Sequence, residues 1–133
     1  MGQTLRILLV DDEDIVLHAL GSFLRALGHQ TDDAQRGEEA LETLERGGYD
    51  LVMVDVKMPE MDGFEFLERA RRDNPELPIV MMAGHGDPES VRRAKEMGAI
   101  DFMCKPFRLV DLEMVVAKAI GTSGASSEAK GSL

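Results

Sequence analysis

Short apolar runs and segments of helical period take turns along nearly the whole chain, and that alternation restricts the fold more than any other feature. Leu5 to Val10 reads as a buried strand, and a helix follows from about Asp14 to Leu27 with Val16, Ala19, Leu20, Phe23, Leu24 and Leu27 on one face. Gly28 ends that helix as a C-terminal cap. Gln30 to Ala34 is a second, weaker strand, and Gly37 to Arg46 a helix with Ala40, Leu41 and Leu44 turned inward. The third strand is Leu51 to Val54. Asp62 and Glu65 then supply an N-cap and a capping-box glutamate for a helix with Phe66, Leu67 and Ala70 on its inner face. Pro75 and Pro78 bracket the turn into a fourth strand, Ile79 to Met82, and Asp87-Pro88 opens a helix that runs to Met97 and stops at Gly98. Ile100 to Met103 is the fifth strand, and Leu112, Val115, Val116 and Ala119 mark the buried stripe of a last helix.

Five strands alternating with five helices over short connections specify an α/β domain: a doubly wound parallel sheet with helices on both faces. Right-handed crossovers leave few topologies, of which the flavodoxin-like order 2-1-3-4-5 is the expected one. In such sheets the ligand site lies beyond the carboxyl ends of the strands where their order reverses, here at strands one and three. One domain covers residues 1–120. Residues 121–133 are mostly Gly, Ser and Ala and read as a flexible tail or the start of a linker.

With 133 residues, 44% of them hydrophobic and 30% charged, the chain has material for one proper core. Its net charge of −10 repels phosphate backbones and anionic lipid, so no direct contact with nucleic acid or membrane is expected. No apolar run approaches membrane-spanning length, and the first residues lack a signal peptide's apolar stretch. Cys104 is the only cysteine, which excludes an internal disulfide and suits a reducing, cytoplasmic setting. The nine methionines read as core filler.

Three strand ends carry chemistry: Asp11 and Asp12 after the first strand, Asp55 after the third, and Lys105 after the fifth. Taken singly, the aspartates are as readily helix-dipole or turn residues, and Lys105-Pro106 a turn. Together at the carboxyl edge of one sheet they make a pocket. Two carboxylates about 4 Å apart repel by roughly 4 kcal/mol at an effective dielectric near 20. A hard divalent cation relieves that repulsion, and Mg²⁺ suits one or two carboxylates, a carbonyl and several waters. With Lys105 as a point charge for phosphate, the set can accept a phosphoryl group on Asp55.

The residues Leu8-Leu9-Val10-Asp11-Asp12-Glu13, Asp55-Val56-Lys57-Met58-Pro59 followed by Met61-Asp62-Gly63, and Gly98-Ala99 through Lys105-Pro106-Phe107 resemble the receiver domain of two-component response regulators from about Leu5 to Ile120. The resemblance implies that Asp55 takes phosphate from a phosphohistidine on a partner histidine kinase or phosphotransfer protein. It implies Mg²⁺ held by Asp12, Asp55 and the Lys57 backbone carbonyl, with Asp11 acting through metal-bound water. Lys105 and the backbone N–H groups of Val56 and Gly84 would contact the phosphoryl oxygens, and the peptide before Pro106 would be cis. Phe102 matches the family's switch aromatic. His85 and Lys57 hold positions that tune dephosphorylation, and His85 on its own reads as an exposed loop residue. The implied output is docking of a second copy or an effector through helix 4, strand 5 and helix 5. Such a chain is a signalling module that accepts and can lose a phosphoryl group, not an enzyme.

One position departs from the family pattern: Ala83 stands where Ser or Thr follows the fourth strand. A hydrogen bond to a charged group contributes about 1.5–3 kcal/mol, whereas inverting a 1:99 equilibrium takes about 5.5 kcal/mol. Loss of the hydroxyl therefore weakens the switch more than the chemistry, and leaves room for Phe102 to turn inward without phosphorylation. This keeps a second reading in view, an interaction module that works without phosphorylation. A phosphohydrolase or flavin carrier of similar fold fits less well, since Asp55 is not on the first strand and Tyr49 is the only tyrosine in a chain without tryptophan.

Overall fold

The computed structural model describes residues 3–84 and 86–132, and from 122 onward only the backbone. His85 lies outside the described residues. The elements follow in the order β1 (Arg6–Val10), α1 (Asp14–Ala26), β2 (Gln30–Ala34), α2 (Gly37–Glu45), β3 (Leu51–Asp55), α3 (Gly63–Asp73), β4 (Ile79–Ala83), α4 (Pro88–Glu96), β5 (Asp101–Cys104) and α5 (Leu109–Ser132). All pairings are parallel, and the strand order is β2-β1-β3-β4-β5.

The period of two along the strands divides the core between the two faces of the sheet. Ile7 and Leu9 of β1 join Leu51, Met53, Val80 and Met82 against α1 and α5. Leu8 and Val10 join Val52, Val54, Ile79 and Met81 against α2, α3 and α4. Full burial of each such side chain contributes about 1.5–3 kcal/mol. β1, β3 and β4 are nearly continuous apolar runs because both of their faces are covered.

The buried stripe of α5, Leu112, Val115, Val116 and Ala119, is as expected. That of α1 is rotated: Leu17, Leu20, Gly21 and Leu24 are buried, while Ala19 and Phe23 are exposed. Two apolar stripes overlap on this helix, and packing on the sheet selects the one through Leu17, Leu20 and Leu24. α5 continues as helix through residues 121–132, where composition suggested a flexible tail.

The caps of α3 and α4 form as read. Asp62 accepts from the Glu65 N–H at 2.9 Å, and Asp87 from the Ser90 N–H at 2.8 Å. Glu65 does not complete a capping box, because its carboxylate pairs with Arg69 at 3.4 Å. α4 buries only Ala94. Its far end is tied down by Arg71 of α3, whose guanidinium donates to the Asn74, Pro75 and Leu77 carbonyls at 3.2, 2.9 and 2.7 Å and to the Gly98 carbonyl at 2.8 Å. Gly98 holds φ +101°, a left-handed conformation that glycine adopts without strain. Among the described residues, no helix is long and apolar enough to cross a membrane.

Candidate functional site

At the carboxyl ends of β1, β3, β4 and β5 the chain encloses a cavity of about 580 Å³. Asp12, Asp55, Val56, Lys57, Ala83, Gly84 and Lys105 all line it, with Glu13, Asp87 and Ser90 on its rim. Parallel strands ending together put these residues side by side, although they come from four separate parts of the sequence.

Asp11 is fully buried, Asp55 is 5% exposed and Asp12 faces solvent. One carboxylate oxygen from each lies within 4.8 Å of the others. The Lys105 ammonium spans the group, 2.9 Å from Asp11 Oδ2, 3.1 Å from Asp55 Oδ1 and 3.3 Å from Glu13 Oε1. The other Asp11 oxygen accepts the Glu13 N–H at 3.0 Å. Burial, reinforced by the negative charge of Asp11, pushes the Asp55 carboxyl up to about 6 against the partial relief given by Lys105. Burial also raises Asp11, more than its bonds to Lys105 and Glu13 lower it. Burial works against the Lys105 ammonium, yet its bonds to Asp11 and Asp55 outweigh that and hold its pKa well above the ordinary lysine value.

One lysine does not neutralise four carboxylates, so the site carries surplus negative charge on oxygen donors. That donor set suits a hard divalent cation. The Lys57 carbonyl accepts no hydrogen bond among the described residues, which leaves it available as a further oxygen ligand.

Val56 requires a correction. Its N–H donates to the Met82 carbonyl at 2.8 Å, because pairing between β3 and β4 runs a residue beyond the expected strand end, and it is not free to hold phosphate. The N–H groups of Lys57 and Gly84 line the same cavity and have no hydrogen-bond partner among the described residues. Both amides are therefore available to a ligand in the cavity, and that of Lys57 is one that sequence reasoning missed.

Ala83 is 8% exposed at the cavity wall and offers no hydroxyl. Phe102 is half-buried, packs on the cluster under α2, α3 and α4, and lies against Gly86. The Lys105–Pro106 peptide is cis. Gly63 is required where it stands: its N–H donates to the Val56 carbonyl at 2.7 Å, and any β-carbon there would collide with the Asp55 carbonyl oxygen. Sequence reasoning also missed Glu13 as a partner of Lys105. The run Asp11-Asp12-Glu13 was the available signal, but helix periodicity alone assigns Glu13 to a cap.

Comparison with known proteins agrees with this geometry. The response regulator receiver domain profile matches residues 7–117. The regulatory protein AtoC of Escherichia coli is 36% identical over 115 residues, covering 86% of this chain and 25% of AtoC. The two-component response regulator ARR12 of Arabidopsis thaliana is 36% identical over 113 residues, 84% of this chain and 19% of the relative. The chain thus spans a quarter or less of the length of these curated relatives. Among solved structures, the receiver domain of NtrX from Brucella abortus superposes with a TM-score of 0.84 at 35% identity, covering 88% of this chain and 99% of that one. Chemotaxis protein CheY4 of Vibrio cholerae gives 0.83 at 28% identity, with 88% and 99% covered. With the fold, the strand order and a family profile spanning most of its length in agreement, this chain belongs to the response regulator receiver domains of two-component signalling.

Proposed function

We propose that the domain accepts a phosphoryl group on Asp55 from a phosphohistidine of a histidine kinase or phosphotransfer protein. The observation that carries this reading is the Lys105 ammonium set between Asp11 and Asp55 at the mouth of a cavity. An Asp55 carboxylate oxygen attacks phosphorus, the bond from phosphorus to the imidazole nitrogen breaks, and the imidazole leaves with its electron pair. Lys105 and the N–H groups of Lys57 and Gly84 take the phosphoryl oxygens, stabilising charge where it develops. Asp12, Asp55 and the Lys57 carbonyl would hold Mg²⁺, with Asp11 reaching it through water. When bound, the ion neutralises the carboxylates and the transferred group.

The output surface is α4, β5 and α5. Leu109, Val110 and Met114 on the first turns of α5 are 45%, 46% and 65% exposed, an apolar surface for a second copy or an effector. Ala83 favours one further reading, an interaction module that docks its partner without phosphorylation.

The deciding experiment is intact mass after incubation with a small phosphodonor and Mg²⁺, on the parent, Asp55→Asn and Ala83→Thr. One phosphoryl mass is expected on the parent and on Ala83→Thr and none on Asp55→Asn. Gain only in Ala83→Thr would replace the reading with the phosphorylation-independent module.

A further inference from the structure

α4 is held to the domain in an unusual way for a packed helix. It buries one residue, Ala94, and its far end is fixed by the bond from Arg71 to Gly98. A further contact from the C-terminal half of α4 is a cation over a ring: the Arg93 guanidinium carbon sits 4.2 Å from the centroid of Phe64. Phe64 is 5% exposed and follows Gly63, which is locked to the backbone of Asp55 and Val56. The ring is therefore a fixed point registered to the phosphoacceptor. Arg93 is the exposed partner.

Arg93 differs from its neighbour. Arg92 is paired with Glu89 and Glu96 along the exposed side of α4, whereas the Arg93 side chain makes no ion pair or hydrogen bond among the described residues. It lines an open cavity of about 520 Å³ together with Asp12, Val56 and Lys57, which also border the acceptor site. A guanidinium held by an aromatic face alone exchanges readily for an anion, because a phosphoryl group gives it charge-assisted bonds that a ring does not.

We propose that Arg93 is the positioning residue that reports phosphoryl charge to α4, in place of the hydroxyl that Ala83 lacks. Unmodified, the domain keeps α4 latched through Arg93 on Phe64. A phosphoryl group at Asp55 adds negative charge beside Asp12 and Lys57, draws the guanidinium off the ring and frees that part of α4. The inference rests on phosphoryl binding at Asp55.

The test uses Mg²⁺ with beryllofluoride as the phosphoryl mimic on the whole chain, read by NMR of the Arg93 Nε–H, its proximity to the Phe64 ring protons, and the α4 amides. In the parent, the mimic abolishes Arg93–Phe64 proximity and shifts the amides of Glu89 to Met97. Phe64→Leu removes the stack but keeps the charge, so α4 amide exchange rises before any mimic is added and beryllofluoride binds about threefold tighter. Arg93→Gln removes both, so the mimic binds about threefold weaker and shifts the Asp55 and Gly84 amides without moving α4. Arg93 remaining on Phe64 while the mimic is bound overturns the proposal and leaves the acceptor chemistry intact, as does an unchanged α4 response in Arg93→Gln. Failure of the parent to bind the mimic overturns the acceptor chemistry and the release with it.

Discussion

Asp55→Asn is expected to stabilise the metal-free domain, although it removes the proposed phosphoacceptor. The folded site holds the Asp55 carboxyl at about 6 against 3.8 for the free group, a rise dominated by burial. The folded state therefore binds a proton more tightly than the unfolded state does. Below both values the carboxyl is protonated in either state and nothing is lost. As pH climbs through this window the unfolded chain ionises first, and the folded state is penalised until the carboxyl ionises there too. A difference of roughly two pKa units corresponds to about 3 kcal/mol at neutral pH. Asparagine carries no charge, so it removes the penalty, a figure that already includes the relief from the 3.1 Å ion pair to Lys105, which keeps Asp11 and Glu13. The expected net gain is about 3 kcal/mol at neutral pH and near zero at about pH 3.5. The assay is urea unfolding followed by circular dichroism in EDTA across that range. Mg²⁺ at about 100 times its Kd should then stabilise the parent by about 2.7 kcal/mol and the variant by clearly less, closing the gap. A gain that does not change with pH, or a loss at neutral pH, would refute the electrostatic account of the site.

Three other perturbations test the frame around it. His29 is buried and its Nδ1 accepts the Leu5 N–H at 3.0 Å, and burial lowers its pKa, so its contribution to stability is present above about pH 6.5 and is lost on acidification below it. His29→Gln keeps an acceptor for that N–H, and the stability difference between parent and variant should shift in the variant's favour as pH falls below that value. Arg71→Met deletes four carbonyl bonds that join the α3–β4 loop to the end of α4, and should cost about 2–4 kcal/mol in urea unfolding and raise amide exchange at Gly98 and Ala99. A loss below about 0.5 kcal/mol would show the clamp to be idle. Gly63→Ala forces a β-carbon against the Asp55 carbonyl and should cost about 1–3 kcal/mol while slowing phosphoryl acceptance; unchanged acceptance would show that the close approach does not set the geometry of Asp55.

Most of the architecture was legible in the chain. Each of the five strands and five helices exists in the expected order, with strand ends displaced by a residue at β3, β4 and β5 and with α5 longer than read; apolar runs bounded by Gly, Pro and Asp leave the backbone few alternatives, and right-handed crossovers leave few strand orders. The candidate site was legible for the same reason: Asp11, Asp12, Asp55 and Lys105 stand at strand ends, and parallel strands end on one side. Side-chain partnership was less legible. Glu65 turns to Arg69 instead of its cap, and the buried face of α1 is the stripe through Leu17 and Gly21, since both choices satisfy a helical period and only contact with the sheet distinguishes them.

The sequence by itself determined the periodicities, the caps at Asp62 and Asp87, the acidic surplus and the missing hydroxyl at Ala83, all properties of residue type and spacing along the chain. The tertiary structure alone decided that Lys105 is shared by Asp11, Asp55 and Glu13, that the Val56 N–H is taken by Met82, and that Arg93 of α4 rests on Phe64 of α3. Each of these contacts joins residues distant in sequence or depends on where a neighbouring strand ends, so its existence turns on distances of a few ångströms that only packing sets.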